Sequence, residues 1–158
     1  MLRTAAFVYR LAAGLAAGAQ LFFVAISAQS IFTSAIAALP RTDPARTIAA
    51  NLVGVQLAQL DRLTLALTAA AALSAIFLAR SGVAHARRAA LPALLAGLGA
   101  FASSAFITPA IHALRAAGEV ATPRFGMMHG LSSGVLLLEL IALLTAVWLA
   151  PEAETKRP

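Results

Sequence analysis

Long apolar stretches separated by short polar segments are the dominant pattern along the chain. The first stretch, Leu11–Leu39, carries no charge and ends at Pro40. Further apolar stretches follow within Leu63–Ala79, Ala89–Ala117 and Pro123–Ala150. A transmembrane helix needs about 20 predominantly apolar residues. The stretch Leu63–Ala79 is just long enough and the others are longer, so the pattern predicts four transmembrane helices.

The polar segments carry residues that typically begin and end helices. Asp43 can cap a helix that has Pro44 in its first turn, and Thr122 with Pro123 repeats the arrangement. Gly118 suits the end of the preceding helix. We therefore predict one transmembrane domain at 1–150 and a polar tail at 151–158, with helices at 5–39, 44–80, 89–117 and 123–150.

Composition agrees with a lipid environment. Hydrophobic residues make up 61% of the chain and charged residues 11%, against about 45–50% and about 25% in soluble domains. The predicted fold class is thus an all-α polytopic membrane protein, a bundle of four transmembrane helices in a lipid bilayer. The absence of cysteine excludes disulfides and thiolate metal sites. The basic residues that give the net charge of +6 lie in short segments between the apolar runs, a pattern that orients a membrane protein. We therefore expect no nucleic-acid partner.

Basic residues are unevenly divided between the two predicted sides of the membrane. The side that holds both ends of the chain and the middle loop carries seven: Arg3, Arg10, Arg80, Arg87, Arg88, Lys156 and Arg157. The opposite side carries five: Arg41, Arg46, Arg62, Arg115 and Arg124. Lys and Arg are retained on the cytoplasmic side. We therefore predict a multi-pass protein of the cell inner membrane with both termini cytoplasmic.

Two features of the first and third helices predict how the bundle packs. Gly14 and Gly18 form a small-xxx-small pair, which lets another helix approach closely. Pro109 cannot donate a hydrogen bond to the carbonyl of Ala105, so the third helix should bend there. We assign Gly14, Gly18 and Pro109 to helix packing.

Three short segments resemble a known family. They are Ala28–Phe32, Ile107–Ile111 and Phe125–Ser132, the last with the order Phe-x-x-x-His-x-x-Ser. Over about Phe7–Leu149 the chain resembles the transmembrane-protein-205-like family, also described as domain of unknown function 4149. Gln29 stands where the family pattern has a proline. The resemblance implies a four-helix membrane protein with no accepted reaction.

Glu139 is an ionisable residue within the fourth predicted helix. It follows His129 by about 15 Å along the helix axis, which places it near the middle of the bilayer. A carboxyl group there must pair, face water or take a proton. Two interpretations remain open: a proton-binding or cation-binding group in a transport path, and a neutral acid that fixes helix packing through a hydrogen bond.

Other polar residues can join Glu139 inside the bundle. We predict a polar pocket that opens to the outer side and is lined by His129, Ser132, Asp61 and Thr108, with Glu139 deeper. Asp61 is expected to face the bundle with Gln56 or Gln59 and to meet Arg115, Arg124 or His129. Hydrogen-bonding side chains from the first and third helices can extend the same polar layer: Gln20, Ser27, Ser103 and Ser104.

The predicted function is to bind or pass a small solute or ion through this pocket. Motifs for nucleophilic hydrolysis, phosphate loops, dinucleotide binding and zinc proteolysis are absent from the sequence, so no enzyme activity is assigned. One alternative is a structural or assembly role, with another membrane protein or a second copy docked on small-residue faces. A second is haem or copper binding at His112 and His129. Because two histidines alone are a weak metal signature, no metal or cofactor is assigned.

Overall fold

The computed structural model describes residues 1–40 and 43–151, and within these residues it contains helices and no strand. The predicted tail at 151–158 lies outside the described residues, apart from Pro151. The helices, in chain order, are α1 Leu2–Ile31, α2 Ser34–Ala38, α3 Pro44–Arg80, α4 Ala86–Ala116 and α5 Pro123–Trp148.

Among the described residues, α1, α3, α4 and α5 are each long and apolar enough to cross a membrane. Their outer surface is apolar as well: Leu73, Leu98 and Leu138 are 68%, 64% and 67% exposed. Such a surface is stable against lipid and unfavourable against water. The chain is therefore a multi-pass membrane protein, and the prediction of an all-α bundle of four transmembrane helices is confirmed.

The predicted capping residues begin the helices as expected. The Asp43 carboxylate accepts a hydrogen bond from the Ala45 amide at 2.9 Å, with Pro44 in the first turn of α3. The Thr122 hydroxyl accepts from the Phe125 amide at 3.2 Å at the start of α5. Gly118 adopts a positive φ of 74° just after α4, a conformation in which a side chain would be strained.

The first helix is shorter than the single helix predicted at 5–39. It ends at Ile31 because Phe32 leaves the helical region, with φ −90° and ψ 67°. Thr33 then caps α2 by accepting a hydrogen bond from the Ile36 amide. A threonine side chain that bonds to the nearby backbone offers the chain an alternative to a continuous helix.

Alanines, rather than glycines, form most of the surface through which the long helices pack. Small side chains let the helix backbones approach closely. The fully buried alanines include Ala13, Ala16, Ala71, Ala75, Ala89, Ala93, Ala96 and Ala146. The prediction that Gly14 and Gly18 pack is wrong for contacts within this chain: both are exposed, and a Cβ added at either would meet nothing within 4 Å. The helical repeat turns them away from the buried alanine face of α1.

Other glycines allow close approach between helices. A Cβ at Gly54 of α3 would lie 2.9 Å from Nη1 of Arg115, and one at Gly97 of α4 would lie 2.8 Å from Oγ1 of Thr68. Both distances are shorter than real Cβ contacts. These glycines thus make room for polar side chains of a neighbouring helix.

The predicted irregularity near Pro109 takes the form of a π-helical segment. Residues Ser103–Ile107 form five π-helical positions, and Pro109 lies in the first turn of the α-helical part that follows. A π-helical turn shifts backbone hydrogen bonds to carbonyls five residues earlier, so the helix can continue although Pro109 has no N–H to donate. The Pro109 ring is exposed. It therefore affects the backbone of α4 and does not pack inside the bundle.

Contacts at each end show how the helices are arranged. The Tyr9 hydroxyl lies 2.9 Å from the Ala89 carbonyl and 3.0 Å from the Ala146 carbonyl, joining α1, α4 and α5. We call this the terminal end; it holds residues 1–10, the 81–85 connection and Pro151. At the other end, the Arg115 guanidinium donates to the Ala50 carbonyl at 3.0 Å. We call that the distal end; it holds residues 32–40, Asp43 and the 117–122 connection.

Candidate functional site

A cavity of about 320 Å³ lies between α1, α3, α4 and α5 in the distal half of the bundle. Three of the predicted site residues line it: Thr108 from α4, and His129 and Ser132 from α5. His112 and Arg115, one and two turns beyond Thr108, line it as well. The cavity therefore lies where sequence reasoning placed a pocket.

The cavity is largely apolar, which corrects the predicted polar character. Its wall includes Phe23 from α1, Leu57 from α3, and Leu136 and Leu140 from α5. Leu140 lies furthest along α5 toward the terminal end, whereas His129 lies nearest the distal end. Apolar side chains thus surround the deep part of the cavity, and polar groups gather toward its distal part.

Arg115 supplies the charged group of the cavity. Its guanidinium donates to the Ala50 carbonyl and lies 5.8 Å from the centre of the Phe125 ring. Neither partner carries a negative charge. His129 stacks on the same Phe125 ring, with centroids 6.2 Å apart and planes 7° apart. Phe125 thus connects a half-buried cation with an exposed histidine at the distal part of the cavity.

Hydroxyl groups add hydrogen-bonding capacity to the cavity wall. Thr108 and Ser132 are both buried, and Oγ1 of Thr108 has no hydrogen-bond partner among the described residues. Ser133 donates to the carbonyl of His129 at 3.1 Å, so its hydroxyl is already engaged. Thr108 and Ser132 are therefore available to a bound molecule.

The two predicted acidic residues do not line the cavity. Glu139 and Asp61 are 2% and 1% exposed and lie between the helices on the terminal-end side of the cavity. Oε2 of Glu139 accepts a hydrogen bond from the Gln20 amide at 2.7 Å. Oδ2 of Asp61 accepts from the Ser103 hydroxyl at 2.8 Å. The structure thus separates the predicted site into a cavity and a buried polar layer.

The sequence predicts the hydrogen-bond partners of the two acidic residues only in part. Gln20 and Ser103 do join the layer, as the sequence suggested. The expectation that Gln56 or Gln59 faces the bundle with Asp61 is wrong: both are exposed, and Gln56 accepts from the Ser27 hydroxyl at 2.6 Å. The hydrogen-bond partner of Asp61 is Ser103, in place of the expected Arg115, Arg124 or His129. Gln59 and Gln56 lie two and five residues from Asp61, which at about 100° per residue puts them on the other side of α3. The face of α3 that meets α4 therefore decides the partner.

Two functional contributions escaped sequence reasoning. The sequence predicts Arg115 only as a basic residue of one membrane side and as a partner of Asp61. Its two-turn spacing from Thr108 puts both residues on one face of α4, which is the signal for its place in the cavity wall. Gly99 was not considered at all. A Cβ there would lie 2.6 Å from Cγ of Glu139. The signal for Gly99 is the absence of a side chain opposite a buried acid, Glu139, of the neighbouring helix.

The two histidines named for haem or copper share the cavity wall. Within residues 1–40 and 43–151, no group of three or more His, Cys, Asp or Glu side chains is placed to hold a metal ion. Haem iron or copper in the cavity would therefore depend on His112 and His129 alone.

Comparison of the chain with protein-family models, curated proteins and solved structures finds no match.

Proposed function

We propose that the protein binds a small amphiphilic molecule in the cavity, with an apolar body in the deep part and an anionic end near Arg115. The observation that carries this proposal is the position of the Arg115 guanidinium. It is half-buried on the wall of a mostly apolar cavity, and its contacts with Ala50 and Phe125 leave its charge uncompensated.

An anion is the group best suited to this position. A carboxylate or phosphate accepts hydrogen bonds from a guanidinium in a shape that matches its planar donors. Thr108, Ser132 and His129 offer further hydrogen bonds to an oxygen-rich head group. An apolar wall with few polar groups is typical of small-molecule sites.

The size of the cavity limits the ligand. Its volume of about 320 Å³ lies near the lower end of ligand sites, which span about 300–1,000 Å³. Val24 of α1 and Leu137 of α5 line it and are 42% and 58% exposed on the lipid-facing surface. A short amphiphile, or one chain of a lipid, can therefore enter from the bilayer between α1 and α5.

The family resemblance involves residues of the same cavity. Thr108, His129 and Ser132 belong to the segments that resemble the transmembrane-protein-205-like family, and all three line the cavity. We propose kinship with that family on this basis. The role we propose is binding or passage of the molecule, without a catalysed reaction.

Native mass spectrometry of the chain purified in mild detergent tests the proposal. We expect an amphiphile to remain bound to the unmodified chain. Val53→Trp, which places an indole in the cavity, and Arg115→Gln, which removes its charge, should each reduce occupancy at least tenfold. Leu52→Trp on the exposed side of the same helix is the matched control and should leave occupancy unchanged. Occupancy in Val53→Trp and Arg115→Gln as high as in Leu52→Trp would contradict the proposal.

A second candidate function is assembly with another membrane protein. Its supporting observation is the open, exposed backbone at Gly14 and Gly18, which form a small-xxx-small pair on the lipid side of α1. Such pairs commonly form contacts between transmembrane helices. The partner would be a transmembrane helix of another protein or a second copy of this chain.

We also propose that both ends of the chain are cytoplasmic and that the protein resides in the bacterial-type inner membrane. Basic residues at the terminal end of the described chain are Arg3, Arg10, Arg80, Arg87 and Arg88. Those at the distal end are Arg46, Arg115 and Arg124, and Arg62 lies midway along α3. Short, strongly basic loops remain cytoplasmic, which supports this orientation. The cavity would then face the outer half of the membrane.

A further inference from the structure

A layer of buried oxygen atoms lies next to the cavity, on its terminal-end side. Each long helix contributes to it: Gln20 from α1, Asp61 and Thr64 from α3, Ser103 from α4 and Glu139 from α5. Gln20 and Thr64 are fully buried, and the two acids are almost so. The function proposed for the cavity makes no use of this layer.

Several oxygens of the layer lack partners. Oε1 of Gln20, Oγ1 of Thr64 and Oε1 of Glu139 are buried without a hydrogen-bond partner among the described residues. The Gln20 amide nitrogen already donates to Glu139, which fixes the orientation of the amide. Thr64 lies one turn from Asp61 on the same face of α3. Buried oxygens without partners are costly, and each calls for a group that can satisfy it.

The layer also holds negative charge that its protein partners do not offset. Glu139 lies against Gly99 and Asp61 bonds to Ser103, and these two positions are one turn apart on the same face of α4. The hydrogen-bond donors to the two acids are an amide and a hydroxyl, neither of which is positively charged. Arg62 follows Asp61 along α3, but it is exposed and points away from the bundle. Two carboxyl groups inside a membrane protein must therefore be neutralised by protons or by a bound cation.

From this arrangement we infer that the layer is a binding site for a hard monovalent cation, with Na⁺ as the fitting ion. Its ligands are the carboxylates of Glu139 and Asp61, Oε1 of Gln20 and Oγ1 of Thr64. Oxygen ligands from carboxylate, amide and hydroxyl groups suit hard cations, and the layer offers no sulfur or imidazole. A proton on one carboxyl group together with the bound ion neutralises the pair.

The number of free oxygens favours a monovalent ion. Ca²⁺ takes about six to eight oxygen ligands, and Mg²⁺ requires an octahedral set with several waters. In this layer, Oε2 of Glu139 and Oδ2 of Asp61 already accept hydrogen bonds. Four oxygens of the named ligands accept no hydrogen bond from the described residues, fewer than the about six to eight that Ca²⁺ takes.

Irregular helix geometry next to the layer supports a site. Phe23–Ser27 of α1 begins three residues after Gln20, and Ser103–Ile107 of α4 begins at the partner of Asp61; both segments are π-helical. Single π turns inside α-helices often mark functional sites. Interrupted transmembrane helices coordinate cations in transporters because they free backbone carbonyls from the regular ladder.

Thermal unfolding of the full chain in detergent tests the cation site. The midpoint is measured as NaCl replaces choline chloride at constant ionic strength. We expect it to rise with Na⁺ toward saturation, because a ligand that binds only the folded state stabilises it. Glu139→Gln and Asp61→Asn should each raise the half-saturating Na⁺ concentration at least tenfold. The control Tyr9→Phe loses a buried contact far from the layer and should keep the Na⁺ response.

Specific results would overturn the inference. These are equal midpoints in sodium and choline, a response that survives in both carboxyl variants, or a larger response to CaCl₂ than to NaCl at equal ionic strength. If the carboxyl variants do not fold, Thr64→Val removes one ligand while retaining a similar volume, and equilibrium dialysis of the unmodified chain with ²²Na⁺ measures binding directly. Absence of saturable ²²Na⁺ binding also overturns the site. Loss of amphiphile binding in Arg115→Gln leaves these measurements unaffected, so the two proposals fail separately.

Discussion

Glu139 packs directly against the backbone of Gly99. A Cβ built at Gly99 would lie 2.6 Å from Cγ of Glu139 and 2.9 Å from its Oε1. Since Cγ is near the root of the side chain, it cannot swing away without moving the whole acid. The missing side chain at Gly99 thus lets α4 approach α5 at the level of the buried polar layer.

Gly99→Ala should therefore destabilise the bundle. The added methyl group forces Glu139 or α4 to shift, and overpacking of this kind costs about 1–3 kcal/mol. Gly134→Ala is the matched control, because a Cβ there meets nothing within 4 Å and alanine favours helix. Reversible unfolding in detergent measures the free energy of unfolding of both variants. A Gly99→Ala variant as stable as Gly134→Ala would show that Glu139 adjusts freely.

Tyr9→Phe should destabilise the terminal end. The Tyr9 hydroxyl is the hydrogen-bonding group that joins the Ala89 and Ala146 carbonyls, and Ala146 lies in the last turn of α5, where carbonyls lack helical partners. Removing it should lower the free energy of unfolding by about 1 kcal/mol. Phe7→Leu on the exposed face of α1 is the control, and it should leave the free energy of unfolding unchanged. Equal stability of Tyr9→Phe and the unmodified chain would contradict the role assigned to the hydroxyl.

Substitutions of Glu139 separate hydrogen bonding from charge. In choline chloride, Glu139→Gln should retain most of the stability, because an amide can still bond to Gln20. Glu139→Leu leaves the buried Gln20 amide without its partner, which should cost about 1–3 kcal/mol. Both variants are compared by unfolding in the same detergent. Loss of stability in Glu139→Gln as large as in Glu139→Leu would assign the stabilisation to the carboxylate itself.

Gly14→Leu and Gly18→Leu should leave the stability of the isolated chain within about 0.5 kcal/mol of its original value. Both positions face outward with free space around them. If the chain assembles through this face, the same variants should abolish the oligomer in native mass spectrometry or cross-linking. Strong destabilisation of a monomeric chain would mean that α1 is rotated relative to the arrangement described.

Topology reporters test the proposed orientation. A reporter fused after Gly82 should score cytoplasmic and one after Gly118 external, because the 81–88 region is short and basic. Arg87→Glu with Arg88→Glu should weaken this preference, whereas Arg46→Glu should not. An external reporter signal after Gly82 would reverse the proposed orientation and move the cavity to the cytoplasmic half.

The sequence alone determined that four helices cross the membrane and that lipid surrounds them. In lipid there is no water to bond the backbone N–H and C=O groups of a long uncharged stretch. A helix satisfies these groups within the stretch itself. Local signals worked equally well where the interaction is local. Asp43 and Thr122 cap their helices through amides only two or three residues away, so no tertiary information is needed.

Tertiary structure decided which faces meet. Gly14 and Gly18 have the sequence spacing of a packing motif, yet rotation of α1 turns the alanine face inward and these glycines outward. The pairing of Glu139 with Gln20 spans 119 residues, and that of Asp61 with Ser103 spans 42. Such partners depend on the rotation and depth of each helix, which a periodic apolar sequence leaves undetermined because lipid accepts any apolar face.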